Sequence, residues 1–236
     1  MKQIYRVDKG GNLAQALSGI TAPKLLLLMS NKEQFEKHVE ELEQHFPGVP
    51  SIGCIGGSYG GQTVAADNSV AVIAMEGNLN VVTNVLEEAS TMPVKYIGRL
   101  ESDISKVGAS ESNTVCLDFC SGNDACVLTT IYSVLGKKHI SLVGGTGDGG
   151  KVSVNGKVYA DADVYALIRN NEGKIKVYKE NIYKQVPDCR FIASKTDRSK
   201  YLIGELNGKP ALKQALEDYQ PFTSKNGVSC QRGYNW

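Results

Sequence analysis

The longest aliphatic run in this chain, Leu25 to Met29, is far too short to cross a bilayer, and the N-terminal Met-Lys-Gln-Ile-Tyr-Arg-Val-Asp has no apolar signal core. Both absences point to a soluble, cytoplasmic protein with no membrane insertion. An excess of one charge is missing too: 26 Lys plus Arg against 25 Asp plus Glu leave a formal +1, which offers nucleic acid no broad attraction. Six cysteines in 236 residues are too sparse for a disulfide framework. Cys116, Cys120 and Cys126 lack the spacing of a zinc pair, and His139 lies beyond a predicted helix, so no metal site is expected. No His-Glu-x-x-His or Gly-x-Ser-x-Gly is present. Gly53 to Gly61 has no Gly-Lys-Ser/Thr ending, and Gly145 to Gly150 leads into a hairpin rather than a helix, so no nucleotide or other cofactor is expected.

What the chain does have is glycine, gathered at the ends of its clearest strands. His139 to Gly145 is a short apolar run that stops in Gly144-Gly145-Thr146-Gly147-Asp148-Gly149-Gly150. Asn155-Gly156 then predicts a tight hairpin, because both turn residues need positive φ. Val164 to Ile168 is a further strand. The pattern occurs twice: Val158 to Ile168 aligns without a gap on Val64 to Ala74, and Leu25 to Met29 has a counterpart in Val115 to Phe119. Each copy reads strand, helix, strand ending in glycines, hairpin, strand, over about 24–75 and 114–168. The expected fold is α/β, with internally duplicated strand-helix-strand-hairpin units forming mixed sheets and helices on the outer faces. The two sheets pack on each other or run on as one.

Local signals place the other elements. Leu25 to Met29 is apolar throughout, which implies burial on both faces. In the predicted helix over 32–46, Phe35, Val39, Leu42 and Phe46 form the inward stripe and Ser30-Asn31 caps the start. His38 and His45 fall off that stripe and read as solvated or half-buried. Asn80 to Glu88 reads as helical, Ala125 to Leu135 as the second copy's helix, Lys174 to Lys179 as an alternating strand, Phe191 to Leu206 as two short strands, and Pro210 to Tyr219 as a helix.

The order of these motifs resembles a known family. Leu142 to Gly149, the Gly-Lys-Val-Tyr-x-Asp-x-x-Val hairpin over 156–164, and Phe46-Pro-x-x-Pro-Ser-Ile-Gly-Cys54 are similar to the FIST N-terminal domain. Tyr201 to Leu212 resembles the entry into the companion FIST C-terminal domain. The resemblance implies a sensory module of intracellular signal transduction that binds a small polar ligand such as an amino acid. It divides the chain into a sensory domain over 1–185 and the truncated beginning of a second domain over 186–236. Residues 190–236 are expected to pack poorly and to expose Phe222 and Trp236 unless a partner or another copy covers them.

In a sheet with parallel core strands, ligands favour the edge where strand C-termini gather. The candidate ligand-binding residues there are Gly56, Gly57, Ser58, Tyr59, Ser121, Gly144, Gly145, Thr146 and Asp148. Glycine-turn amides suit a carboxylate, hydroxyls add donors, and Asp148 suits an ammonium. The same glycines can equally serve tight turns or close strand packing. An enzyme using Cys54 as nucleophile on a small metabolite is the alternative, and an assembly domain without ligand is the third. A binding module ranks first because no base is paired with Cys54 in the sequence.

Overall fold

The computed structural model describes residues 1–58, 68–91, 93–122, 124–179, 190–197 and 202–215. It divides into two compact units, Met1–Tyr178 and Lys179–Trp236. The first begins with β1 (Lys2–Asp8), α1 (Leu13–Ala16), β2 (Pro23–Ser30), α2 (Phe35–His45), β3 (Ser51–Ile55), β4 (Val70–Glu76) and β5 (Leu79–Glu87). It continues with α3 (Ile97–Val107), β6 (Thr114–Cys120), α4 (Asp124–Leu135), β7 (Ser141–Thr146), β8 (Lys151–Val154), β9 (Lys157–Ala160) and β10 (Ala162–Asn170).

These strands form two mixed sheets, ordered β1-β4-β2-β3-β8-β9 and β5-β10-β6-β7. The first four strands of each follow one plan. β2 runs parallel to β3 and antiparallel to β4, just as β6 runs parallel to β7 and antiparallel to β10. The β8–β9 hairpin then extends the first sheet by pairing with β3. Its turn residues, Asn155 and Gly156, both have positive φ, as the sequence predicts.

The layering follows from strand alternation. On β2, Leu26 and Leu28 pack under α1 and α2 with Phe35, Val39 and Leu42, whereas Leu25 and Leu27 face the other sheet. On β10, Tyr165 and Leu167 pack under α3 and α4, whereas Val164, Ala166 and Ile168 join the inter-sheet core. The two sheets therefore pack face to face with helices on both outer sides. Asn155 stitches them together: its Oδ1 accepts from Ser51 N of β3 and from Thr83 Oγ1 of β5, each at 3.0 Å.

Several expectations need correcting. Residues 79–87 are not helical but form β5, paired with β10 along all nine of its residues. The β-branched Val81, Val82 and Val85 suit a strand, and sheet pairing outweighs the local pattern. Residues 174–179 alternate but form no strand; the segment is held by Ile175 N donating to Ser112 O at 2.9 Å. His38 is 1% exposed, not solvated, and lies between Ser30 and Gly11. Helix α2 begins at Phe35 rather than 32, after a turn in which Asn31 Oδ1 accepts from Gln34 N at 2.9 Å. The first copy's expected hairpin over 60–67 lies outside the described residues.

In the second unit, β11 (Ala193–Asp197), β12 (Leu202–Leu206) and β13 (Lys209–Pro210) form an antiparallel sheet, and residues 211–215 are helical. Asn207 and Gly208, both at positive φ, make the second hairpin turn. Leu202, Ile203 and Leu212 are exposed here. Phe222 and Trp236 lie outside the described residues.

Candidate functional site

Four strands end at one edge of the first unit, because β2 and β3 are parallel in one sheet and β6 and β7 in the other. A cleft of about 360 Å³ opens there, lined by Met29, Cys54, Ile55, Gly56, Gly57, Phe119, Gly145, Thr146, Gly147 and Asp148. Five of the nine candidate residues thus come together: Gly56, Gly57, Gly145, Thr146 and Asp148.

Three others do not line this cleft. Ser58 is buried and its hydroxyl meets Ser69 Oγ at 3.1 Å. Ser121 closes the end of the second sheet, its Oγ accepting from Ala162 N while its own N–H donates to Ala162 O, both at 2.9 Å. Gly144 is a packing glycine: a Cβ there would sit 2.0 Å from Asp118 O and 2.1 Å from Asp118 Oδ1. Tyr59 lies outside the described residues.

The glycine loop after β7 is fixed by its backbone. Gly147 N donates to Cys120 O at 2.8 Å and Asp148 N to Ile55 O at 2.7 Å, and Gly56 N is used by Ser30 O at 3.0 Å. These amides tie strand ends together and are not open to a ligand carboxylate. A Cβ at residue 147 would come 3.0 Å from both Cys54 Cβ and Ile55 O, which explains why glycine precedes Asp148. Thr146 and Asp148 are exposed at the lip, above a floor of Phe119 and Met29.

On the other side of Ile55, a smaller depression of about 280 Å³ is lined by Lys32, Glu33, Phe35, Glu36, Gly149 and Lys151. Its charges are partly matched, since Lys151 Nζ donates to Glu36 Oε1 at 2.6 Å. The Cys54 thiol in the main cleft is pushed up to about 12 by burial, so it carries no nucleophilic thiolate near neutral pH. Among the described residues, no group of three or more His, Cys, Asp or Glu could hold a metal ion. Among them, too, no helix is long and apolar enough to cross a membrane.

The floor of the cleft comes from strands, not from the polar loops that the sequence singles out. Phe119 alternates with Val115 and Leu117 on the face of β6 that meets the other sheet, and this alternation was the available signal.

A family model, the FIST N domain, matches residues 24–209. The chain belongs to this family. It is a family of sensory domains in signalling proteins. The FIST N match takes in both mixed sheets from β2 onward and ends within β13. A search of curated proteins finds no match. Among solved structures, a cyanuric acid hydrolase from A. caulinodans is similar over 70% of this chain and 70% of that one, at 12% identity and a TM-score of 0.30. That likeness is too slight to carry an argument.

Proposed function

We propose that this FIST N domain senses a small ligand bearing a protonated amine, such as an amino acid, in the cleft at the ends of β2, β3, β6 and β7. Occupancy is passed to a cytoplasmic signalling partner, and the ligand is not chemically changed. The observation that carries the reading is the pairing of an exposed carboxylate and hydroxyl, Asp148 and Thr146, with an apolar floor of Phe119 and Met29. Such a pocket orients a ligand by a few polar groups while burying its apolar part. The engaged amides of Gly56, Gly147 and Asp148 shift the emphasis from a carboxylate-binding glycine cradle to the ammonium end of the ligand. The unactivated Cys54 thiol favours binding over nucleophilic catalysis.

The companion C-terminal domain remains part of this proposal. Tyr201 to Leu212, the stretch that resembles its entry, overlaps the end of the N-terminal match at residue 209.

A thermal-shift screen of amino acids and simple amines tests the ligand. A true ligand at about 100 times its Kd adds roughly 2.7 kcal/mol of stability. Asp148→Asn and Thr146→Val should weaken the hit without lowering the midpoint of the free protein. Hits that persist unchanged in both variants would place the site elsewhere.

A further inference from the structure

The helix-facing side of the second sheet buries two acids side by side. Asp118 on β6 is 2% exposed and Asp163 on β10 is fully buried. In the β6–β10 register Asp163 lies opposite Cys120 and Asp118 opposite Tyr165, so the two carboxyls are diagonal neighbours on one face. Among the described residues, neither oxygen of Asp163 receives a hydrogen bond. Across that diagonal, burial first and the neighbouring Asp118 carboxyl second raise Asp163.

The titratable groups that the described residues bring around the pair do not neutralise it. β6 adds Cys116 and Cys120, α4 adds Asp124, and β10 adds Tyr165. From α3 come Asp103, Lys106 and Arg99. Lys106 bonds to Asp103, while Arg99 donates to Val85 O on β5. Strand β7, Ser141–Thr146, brings no titratable side chain, and its Gly144 backbone packs directly on Asp118.

Two carboxylates held side by side away from water cannot both ionise at low cost. We propose that Asp118 and Asp163 share one proton at neutral pH, and that its loss loosens the ends of β6 and β10, making the wall of the cleft sensitive to pH. With the proton present, one carboxyl O–H donates to the other carboxylate and the pair carries a single negative charge. When the proton leaves to water, two facing anions repel across the strand pair. Burial pushes Asp118 up to about 6 and raises Asp163 well above its ordinary value, the two acting on each other.

The strand ends that feel this repulsion carry the cleft. Cys120 O holds the loop amide of Gly147, Phe119 forms part of the floor, and Ala162, next to Asp163, is bonded to Ser121 in both directions. The inference stands apart from the ligand reading, because its test uses no ligand.

The test is a carboxyl 13C NMR titration of the full chain from about pH 4 to about pH 9, with amide exchange of Ser121 and Gly147 followed in parallel. Two coupled carboxyl steps are expected, the second above the ordinary aspartate range, and both should vanish in Asp163→Asn or collapse to a single step. Across the second step the two amides should exchange faster than hydroxide catalysis alone explains, and Asp163→Asn should remove that excess. Independent titration of both acids at ordinary values would overturn the proposal, as would exchange that tracks hydroxide through the second step. If Asp163→Asn does not fold, the wild-type titration and exchange decide the matter by themselves.

Discussion

The phenol of Tyr165 donates to Asp103 Oδ2 at 2.8 Å, across the layer between β10 and α3. Asp103 also accepts from Asn84 Nδ2 at 2.9 Å and from Lys106 Nζ at 2.7 Å. Burial by itself would raise this carboxyl, but the bonds from Lys106, Asn84 and Tyr165 together outweigh it and hold Asp103 below its ordinary value. Two residues before Tyr165 on β10, Asp163 has no such donors among the described residues. The layer between this sheet and its helices thus holds one acid fully matched as an anion, Asp103 on α3, and another that needs a proton, Asp163 on β10.

Tyr165→Phe should destabilise the protein by about 1.5–3 kcal/mol at neutral pH, the range for a hydrogen bond to a charged group. Because the folded value of Asp103 is lowered, its contribution is present above the unfolded value of about 3.9 and is lost as pH falls through the folded one. The gap between wild type and Tyr165→Phe in urea denaturation should therefore narrow below about pH 4.

His38 supplies a second dependence on acid. Gly11 O can only accept, so Nε2 carries the proton at 3.0 Å and Nδ1 is left to accept from the Ser30 hydroxyl at 2.7 Å. Burial outweighs the raising effects of Gly11 and Glu41 and lowers the histidine's affinity for a second proton. Its stabilisation is present above the unfolded value of about 6.5 and is lost as pH falls through the folded value. His38→Gln should flatten that loss in a pH series of thermal midpoints. His38→Ala should cost about 2–3 kcal/mol through unmet buried groups and a cavity.

Much of this was legible locally. The apolar run of β2, the stripe on α2, the Asn155-Gly156 turn and the convergence of glycine-ended strands follow from periodicity and turn chemistry alone. What was hidden depends on partners far along the chain. β5 reads as a helix until β10 pairs with it, and residues 174–179 alternate like a strand but have no strand to join. The Asp118–Asp163 pair has no sequence signal, since its two members sit on separate strands joined only by the sheet register. Gly144 looked like a ligand contact because a glycine shows the need for closeness, not what comes close.

Cysteine reactivity separates the binding reading from the catalytic one. Burial pushes the thiols of Cys54 and Cys120 up to about 12 and raises Cys116 as well, whereas Cys126 on α4 is only half-buried. Among these four, timed alkylation of native protein followed by peptide mass spectrometry should label Cys126 first, with the others protected until unfolding. Rapid labelling of Cys54 near neutral pH would instead reveal an activated thiol and restore the enzyme alternative.

Gly144 and its neighbour Gly145 should respond oppositely to the same substitution. A methyl at residue 144 would collide with the Asp118 backbone, which cannot swing away as a flexible side chain could. Gly144→Ala should therefore cost about 3 kcal/mol or more, the upper range of overpacking effects. At Gly145 no atom lies within 4 Å of an added Cβ, so Gly145→Ala should leave the urea midpoint close to that of wild type. Yet Gly145 lines the cleft, and the new methyl would enter it. A ligand found in the screen should bind Gly145→Ala more weakly in calorimetry while the free variant keeps its stability. Equal binding by Gly145→Ala and wild type would separate the ligand from this lip of the cleft, whereas equal stability of the two alanine variants would refute the packing role of Gly144.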